Sequence, residues 1–229
     1  MKKNSQHYFK TRGKNSLKSE IKKLARQIIS MAKYSKTDAG SLVKLARKSI
    51  EYYDLTGNVL KEVASEKRFA DKRGVFVTID TFPDEELRGC IGFPYPVKPL
   101  WNAIIEAAVQ AGFHDPRFPP LKSNEFDKIT IEISILSKPE YAGRGSSEIS
   151  EKIIVGKHGI IVKKGKNSGL LLPQVAKEYS WDSEKFLSET CRKAMIPENA
   201  WKKPETDIFT FEAQIFAEKE PKGPVEKKE

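Results

Sequence analysis

Apolar residues change their spacing several times along this chain, and each change marks an element. From Leu17 to Lys33, the residues Ile21, Leu24, Ile28 and Met31 recur at helical spacing against a face of lysines and Arg26, which predicts a basic amphipathic helix. Residues 1–16 before it are polar and basic and read as a flexible lead-in. A second helix is expected from Ala39 to Tyr53, with Leu42, Leu45, Ile50 and Tyr53 on one side, Asp38 as N-cap and Gly57 as stop. The spacing then shortens. Gly74–Thr81 is rich in β-branched and aromatic residues, and Leu87–Phe93 follows a polar turn, so both read as strands. Pro99 opens a third helix that runs to about Ala111 and is apolar on much of its surface, as a buried helix is.

The cleanest alternation is Lys128–Ser137, where Ile129, Ile131, Ile133 and Ile135 alternate with Thr130, Glu132 and Ser134. One face belongs in a core and the other is expected to be wetter, which suits an antiparallel sheet. After a polar stretch at 138–150, short strands are expected at Ile153–Val155, Gly159–Lys163 and Leu170–Leu172, then helices at Pro173–Tyr179 and Asp182–Met195. Ile208–Ala217 alternates again, with Phe209, Phe211, Ala213 and Ile215 on one face, and the charged tail from Glu218 is expected to fray. Helices and strands mix without regular βαβ alternation, so the fold class is α+β, an antiparallel sheet flanked by helices plus an N-terminal basic helix. The organisation is a basic extension at 1–36, a main domain at 37–218 and a charged tail at 219–229.

Charge sharpens that division. The 229 residues carry a net charge of +10, and all of it lies in residues 1–36, which hold 11 Lys or Arg and one acid; the rest is balanced. The main domain is therefore not itself a polyanion binder. The arm can pack on its own domain, or bind RNA through Lys2, Lys3, Lys10, Arg12, Lys14, Lys22, Lys23 and Arg26. Membrane binding is not expected, because the helix has no Trp or Phe. No apolar run is long enough to span a bilayer and no signal peptide is visible, so a cytoplasmic protein is expected. Cys90 and Cys191 form no CxxC pair and the three histidines are scattered, so neither a disulfide nor a metal or other cofactor is expected.

Chemistry concentrates in Leu87-Arg88-Gly89-Cys90-Ile91-Gly92. Glycines inside a strand mark a bulge or the close approach of backbone or ligand. Three further segments stand out: Phe113-His114-Asp115-Pro116-Arg117-Phe118-Pro119-Pro120, Val155-Gly156-Lys157-His158-Gly159-Ile160, and Leu172-Pro173-Gln174-Val175-Ala176. In this order the four segments resemble the AMMECR domain family over about residues 37–218. The resemblance implies an α+β fold with a larger and a smaller subdomain and a groove between them, and it implies no activity. By association it points to Memo-type and radical-SAM proteins as partners, in the system named AmmeMemoRadiSam.

Each candidate has two readings. Cys90 is a nucleophile activated by Arg88, His158 or a helix N-terminus, or a small buried residue. Arg88 clamps an anionic ligand, or pairs with Asp115 or another acid. Asp115 is a general base, or caps a turn. Gly89, Gly92, Arg117 and Gln174 line a ligand groove or serve packing. An enzyme or small-ligand domain is ranked slightly ahead of an RNA-binding accessory protein and of an interaction module without chemistry.

Overall fold

Ser35 starts the first helix of the described residues by a reciprocal cap. Its hydroxyl accepts from the Asp38 amide at 3.2 Å while the Asp38 carboxylate accepts from the Ser35 amide at 2.8 Å. Asp38 is thus the third helical residue and Ser35 the N-cap, one turn earlier than the sequence suggests. The helix, α1 (Lys36–Thr56), ends where expected, at Gly57 with φ 67°. The computed structural model describes residues 34–61 and 66–228; the expected helix at 17–33 and the basic arm residues named above lie outside them.

Two strands and a helix follow as predicted: β1 (Gly74–Thr81), β2 (Leu87–Phe93) and α2 (Leu100–Phe113). Next come β3 (Ile129–Leu136), β4 (Glu140–Arg144), the single turn α3 (Ile149–Lys152), β5 (His158–Lys164) and β6 (Asn167–Leu171). The chain ends with α4 (Pro173–Glu178), α5 (Ser183–Lys193), β7 (Asp207–Glu218) and β8 (Val225–Lys228). Every pairing is antiparallel, in the order β2-β1-β3-β7-β5-β6, with β4 and β8 also on β7.

Three local expectations are corrected. Ile153–Val155 is not a strand: the chain turns there through Gly156 at φ 81°, and the His158 amide bonds back to the Ile154 carbonyl at 2.9 Å. The polar stretch at 138–150 contains a strand, β4, whose outer residues face water while Tyr141 packs on Phe209 and Arg144 pairs with Asp207. The tail does not fray along its length. It reverses at Pro221–Pro224 and returns as β8 along the end of β7, with Lys219 paired to Glu226 and Lys222 to Asp127.

The 12-residue β7 joins two halves. Its first half pairs with β4 and β5, and its second with β3 and β8. Ile131 and Ile133, with Phe216, pack under α1 and α2 in one core; Ile208, Ile160 and Trp201 pack with α5 in another. A smaller apolar group, including Leu136, Ile161 and Phe211 with Phe76, Leu170 and Leu172, lies on the other face of the sheet and ties the halves together.

Candidate functional site

The glycines around Cys90 are explained by close packing. A Cβ on Gly89 would lie 2.2 Å from the Ala111 carbonyl oxygen of α2, and one on Gly92 would meet the Phe76 ring at 2.4 Å. Between Ile79 and Asp80 the β1–β2 register slips, so Gly89 and Leu87 are paired and Arg88 is the extra residue of a bulge. Freed from the ladder, Arg88 binds Glu125 through Nε and Nη2 at 2.9 and 3.3 Å and donates to the Pro119 carbonyl at 2.8 Å. Its acidic partner is Glu125 and not Asp115.

Asp115 follows the C-terminus of α2 and is buried. Its carboxylate accepts from the Cys90 amide at 2.9 Å, from the Arg117 amide at 3.1 Å, and from Arg117 Nε and Nη2 at 2.9 and 2.7 Å. Arg117 Nη2 also donates to the Cys90 carbonyl at 3.1 Å. The pair thus satisfies the free edge of β2 at Cys90. The Arg117 guanidinium, with the two amide donors, holds the Asp115 carboxyl far below the usual carboxylate range, which leaves it a weak base.

Cys90 is half-buried, and the Thr78 hydroxyl donates to its sulfur at 3.2 Å. Burial pushes its thiol up, against the smaller opposing effects of Thr78 and Arg117. The expected activators are placed otherwise. Arg88 is tied to Glu125. The helix end beside this part of β2 is the C-terminus of α2, whose partial charge is negative. His158 starts β5, where its Nδ1 accepts from the Ile154 amide at 3.2 Å. Cys191 is fully buried in the second core.

A cavity of about 1210 Å³ opens over the face of β2-β1-β3 that lies away from α1 and α2. Cys90, Gly92, Asp115, Arg117 and Gln174 all line it; Arg88, Gly89 and His158 do not. Its far wall is β6 and the start of α4, so both halves of the fold contribute. Three residues that sequence reasoning passed over also line it: Thr78, Asp80 and Glu132. Alternation had placed Glu132 on the polar face of β3, but that face is roofed, and the Glu132 side chain is only 13% exposed. Burial pushes its carboxyl up to about 7 and that of Asp80 up to about 6; Lys228 opposes both shifts, while Asp80 and Glu178 add to the one at Glu132 and Glu85 and Glu178 to the one at Asp80. Among the described residues no group of three or more His, Cys, Asp or Glu is placed to hold a metal ion, and no helix is long and apolar enough to cross a membrane.

Comparison with known proteins puts this geometry in a family. Protein MK0488 of Methanopyrus kandleri is 50% identical over 190 residues, covering 82% of this chain and 92% of its own length. A protein of Aquifex aeolicus is 44% identical over 191 residues, covering 83% and 97%. The crystal structure of the uncharacterized protein PH0010 from Pyrococcus horikoshii superposes with a TM-score of 0.76 at 46% identity, over 83% of this chain and 96% of that one. The family model described as AMMECR1 matches residues 43–216, and the chain belongs to the AMMECR1 family.

Proposed function

We propose that the domain is an enzyme or small-molecule receptor whose ligand occupies the cavity over β2-β1-β3, with Cys90 as the group that reacts. One observation carries this reading: residues from three separated segments, Cys90 and Gly92, Asp115 and Arg117, and Gln174, line a single cavity. A packing role explains Gly89, and a structural ion pair explains Arg88, but neither accounts for a half-buried thiol at the floor of a space this size. The Asp115–Arg117 pair then serves as a brace for the strand edge that carries Cys90, not as the proton acceptor. A free thiol as reacting group fits a reducing, cytoplasmic compartment.

The test is alkylation of the native protein across a pH series, with Cys191 as internal control and mass spectrometry to separate the two sites. Cys90 is expected to react in the folded state, with a midpoint above the ordinary thiol value of about 8.5, because burial raises it. Cys191 is expected to react only on unfolding. Protection of Cys90 until the protein unfolds would reduce it to a packing residue and overturn the proposal.

A further inference from the structure

Cys90, Thr78 and Glu132 are direct cross-strand neighbours, one each on β2, β1 and β3. Their side chains therefore leave the same face of the sheet in one row. Asp80 lies two residues along β1 on that face. Across the cavity, α4 brings Gln174 and Glu178 to the same space. The charged groups that act on Glu132 are Asp80 from β1, Lys228 from β8 and Glu178 from α4. Those that act on Cys90 are Glu132, Asp115 and Arg117.

These walls are rich in acceptors that lack donors. Asp80 and Glu178 have no salt bridge among the described residues, and Glu132 has only Lys228, at 3.6 Å. Gln174 Oε1 is buried with no hydrogen-bond partner among the described residues, an arrangement that costs free energy until a donor arrives. Three of the cations that line the cavity are engaged, Arg117 by Asp115, Lys219 by Glu226 and Lys228 by Glu132; a fourth, Lys193, stands at the end of α5 beside β6. Beside Glu132, Asp80 and Glu178 the charge acting on the space is mainly negative, with Lys228 the one opposing cation, so an anion there would have to displace Glu132 from Lys228 whereas a cation meets the carboxylates of Asp80 and Glu178.

From this placement we infer that the cavity takes a molecule that carries an ammonium or guanidinium group beside an electrophilic centre, the cation seated among Glu132, Asp80 and Glu178 and the electrophile facing Cys90. The inference rests on the small-molecule reading of the cavity and names the class of ligand. It also gives the carboxylates a second role. Burial first, and the Glu132 carboxylate after it, oppose ionisation of the sulfur, so with the cavity empty Cys90 is mostly a neutral, slowly reacting thiol near neutral pH. A cation seated there offsets the carboxylate charge and favours the thiolate where the electrophile is already held.

Methanethiosulfonate reagents test this, because they share one reactive group and differ in the head group that carries the charge: trimethylammonioethyl (positive), hydroxyethyl (neutral) and sulfonatoethyl (negative). In each, the Cys90 thiolate attacks the sulfenyl sulfur, a new S–S bond forms, methanesulfinate leaves with the bonding pair of the old one, and the thiol proton goes to solvent. Rates are normalised to free cysteine. The positive reagent is expected to modify native Cys90 about tenfold faster than the negative one, the size of effect that one pKa unit of charge interaction gives. In Glu132→Gln that preference should shrink to roughly threefold or less while the neutral reagent becomes faster, and Asp80→Asn should move both the same way. Preference for the negative reagent, no preference, or a preference unchanged in both variants would overturn the inference alone. Failure of all three reagents to reach Cys90 before unfolding would overturn the small-molecule reading beneath it.

Discussion

Replacing Arg47 by methionine removes one side of the most deeply buried ion pair in the described fold. Arg47 lies mid-way along α1, with its side chain 8% exposed; Glu218, at the end of β7, is 3% exposed. Nε and Nη2 of Arg47 grip both carboxylate oxygens, Nη1 donates to the Phe126 carbonyl and Nη2 to the Ile129 carbonyl, each at 2.9 Å. Glu218 also accepts from the Ile131 amide at 3.0 Å. Methionine fills most of the volume but strands a buried carboxylate and two carbonyls. Breaking such a pair from one side costs about 3–5 kcal/mol. With a urea m-value of roughly 2 kcal/mol/M, the unfolding midpoint should fall by about 2 M. Adding Glu218→Gln to Arg47→Met removes the stranded charge while keeping an acceptor for Ile131, so the double variant should be more stable than the single one. The assay is equilibrium urea unfolding followed by tryptophan fluorescence and circular dichroism. A single variant that loses less than about 1 kcal/mol, the range of an exposed pair, or a double variant no more stable than the single, would refute the reasoning.

Three further outcomes are expected. Gly89→Ala should lower the melting temperature, since its Cβ would sit 2.2 Å from a helix carbonyl and overpacking costs about 1–3 kcal/mol; Gly40→Ala in α1, where a Cβ meets nothing within 4 Å, should raise stability by up to about 1 kcal/mol. Glu132 gives a pH dependence of definite sign. Its folded pKa, about 7, lies above its unfolded value of about 4.3. The folded state therefore binds more protons across that window, and this group's contribution to stability falls as pH rises through it. Glu132→Gln should accordingly gain on the wild type between pH 5 and pH 8, by roughly 1–3 kcal/mol, read from urea unfolding at the two pH values; equal differences at both would show that the carboxyl is not held above its ordinary range.

The sequence was most legible where burial is one-sided. The alternating isoleucines of β3 and the apolar surface of α2 were read with their faces correct, because only a core demands that pattern. β4 and β8 were missed because they border water and pair with β7 largely through backbone, which selects no side-chain pattern. Ser35 was missed as a cap because both it and Asp38 are good capping residues and only the reciprocal bonds distinguish them. At the cavity, Cys90, Gly92, Asp115, Arg117 and Gln174 could be picked out by their segments. Thr78, Asp80 and Glu132 could not, since a polar residue on a strand looks the same whether its face meets solvent or a roof. The partner of Arg88 was also hidden, because the bulge that re-aims it depends on the register with β1.

The shared strand β7 has a consequence for how the protein is made. Hairpins such as β1–β2 and β5–β6 can form as soon as they are synthesised, but β3, β4, β5 and β8 all take their common partner from residues 207–218. Neither half of the sheet can close until residues 207–218 have left the ribosome, and the Glu218 carboxylate that anchors Arg47, 171 positions earlier, arrives after all of these strands but β8. Contacts this distant in sequence form slowly. A nascent chain cut short before β7 would therefore hold two unfinished sheets with open edges and no cavity between them.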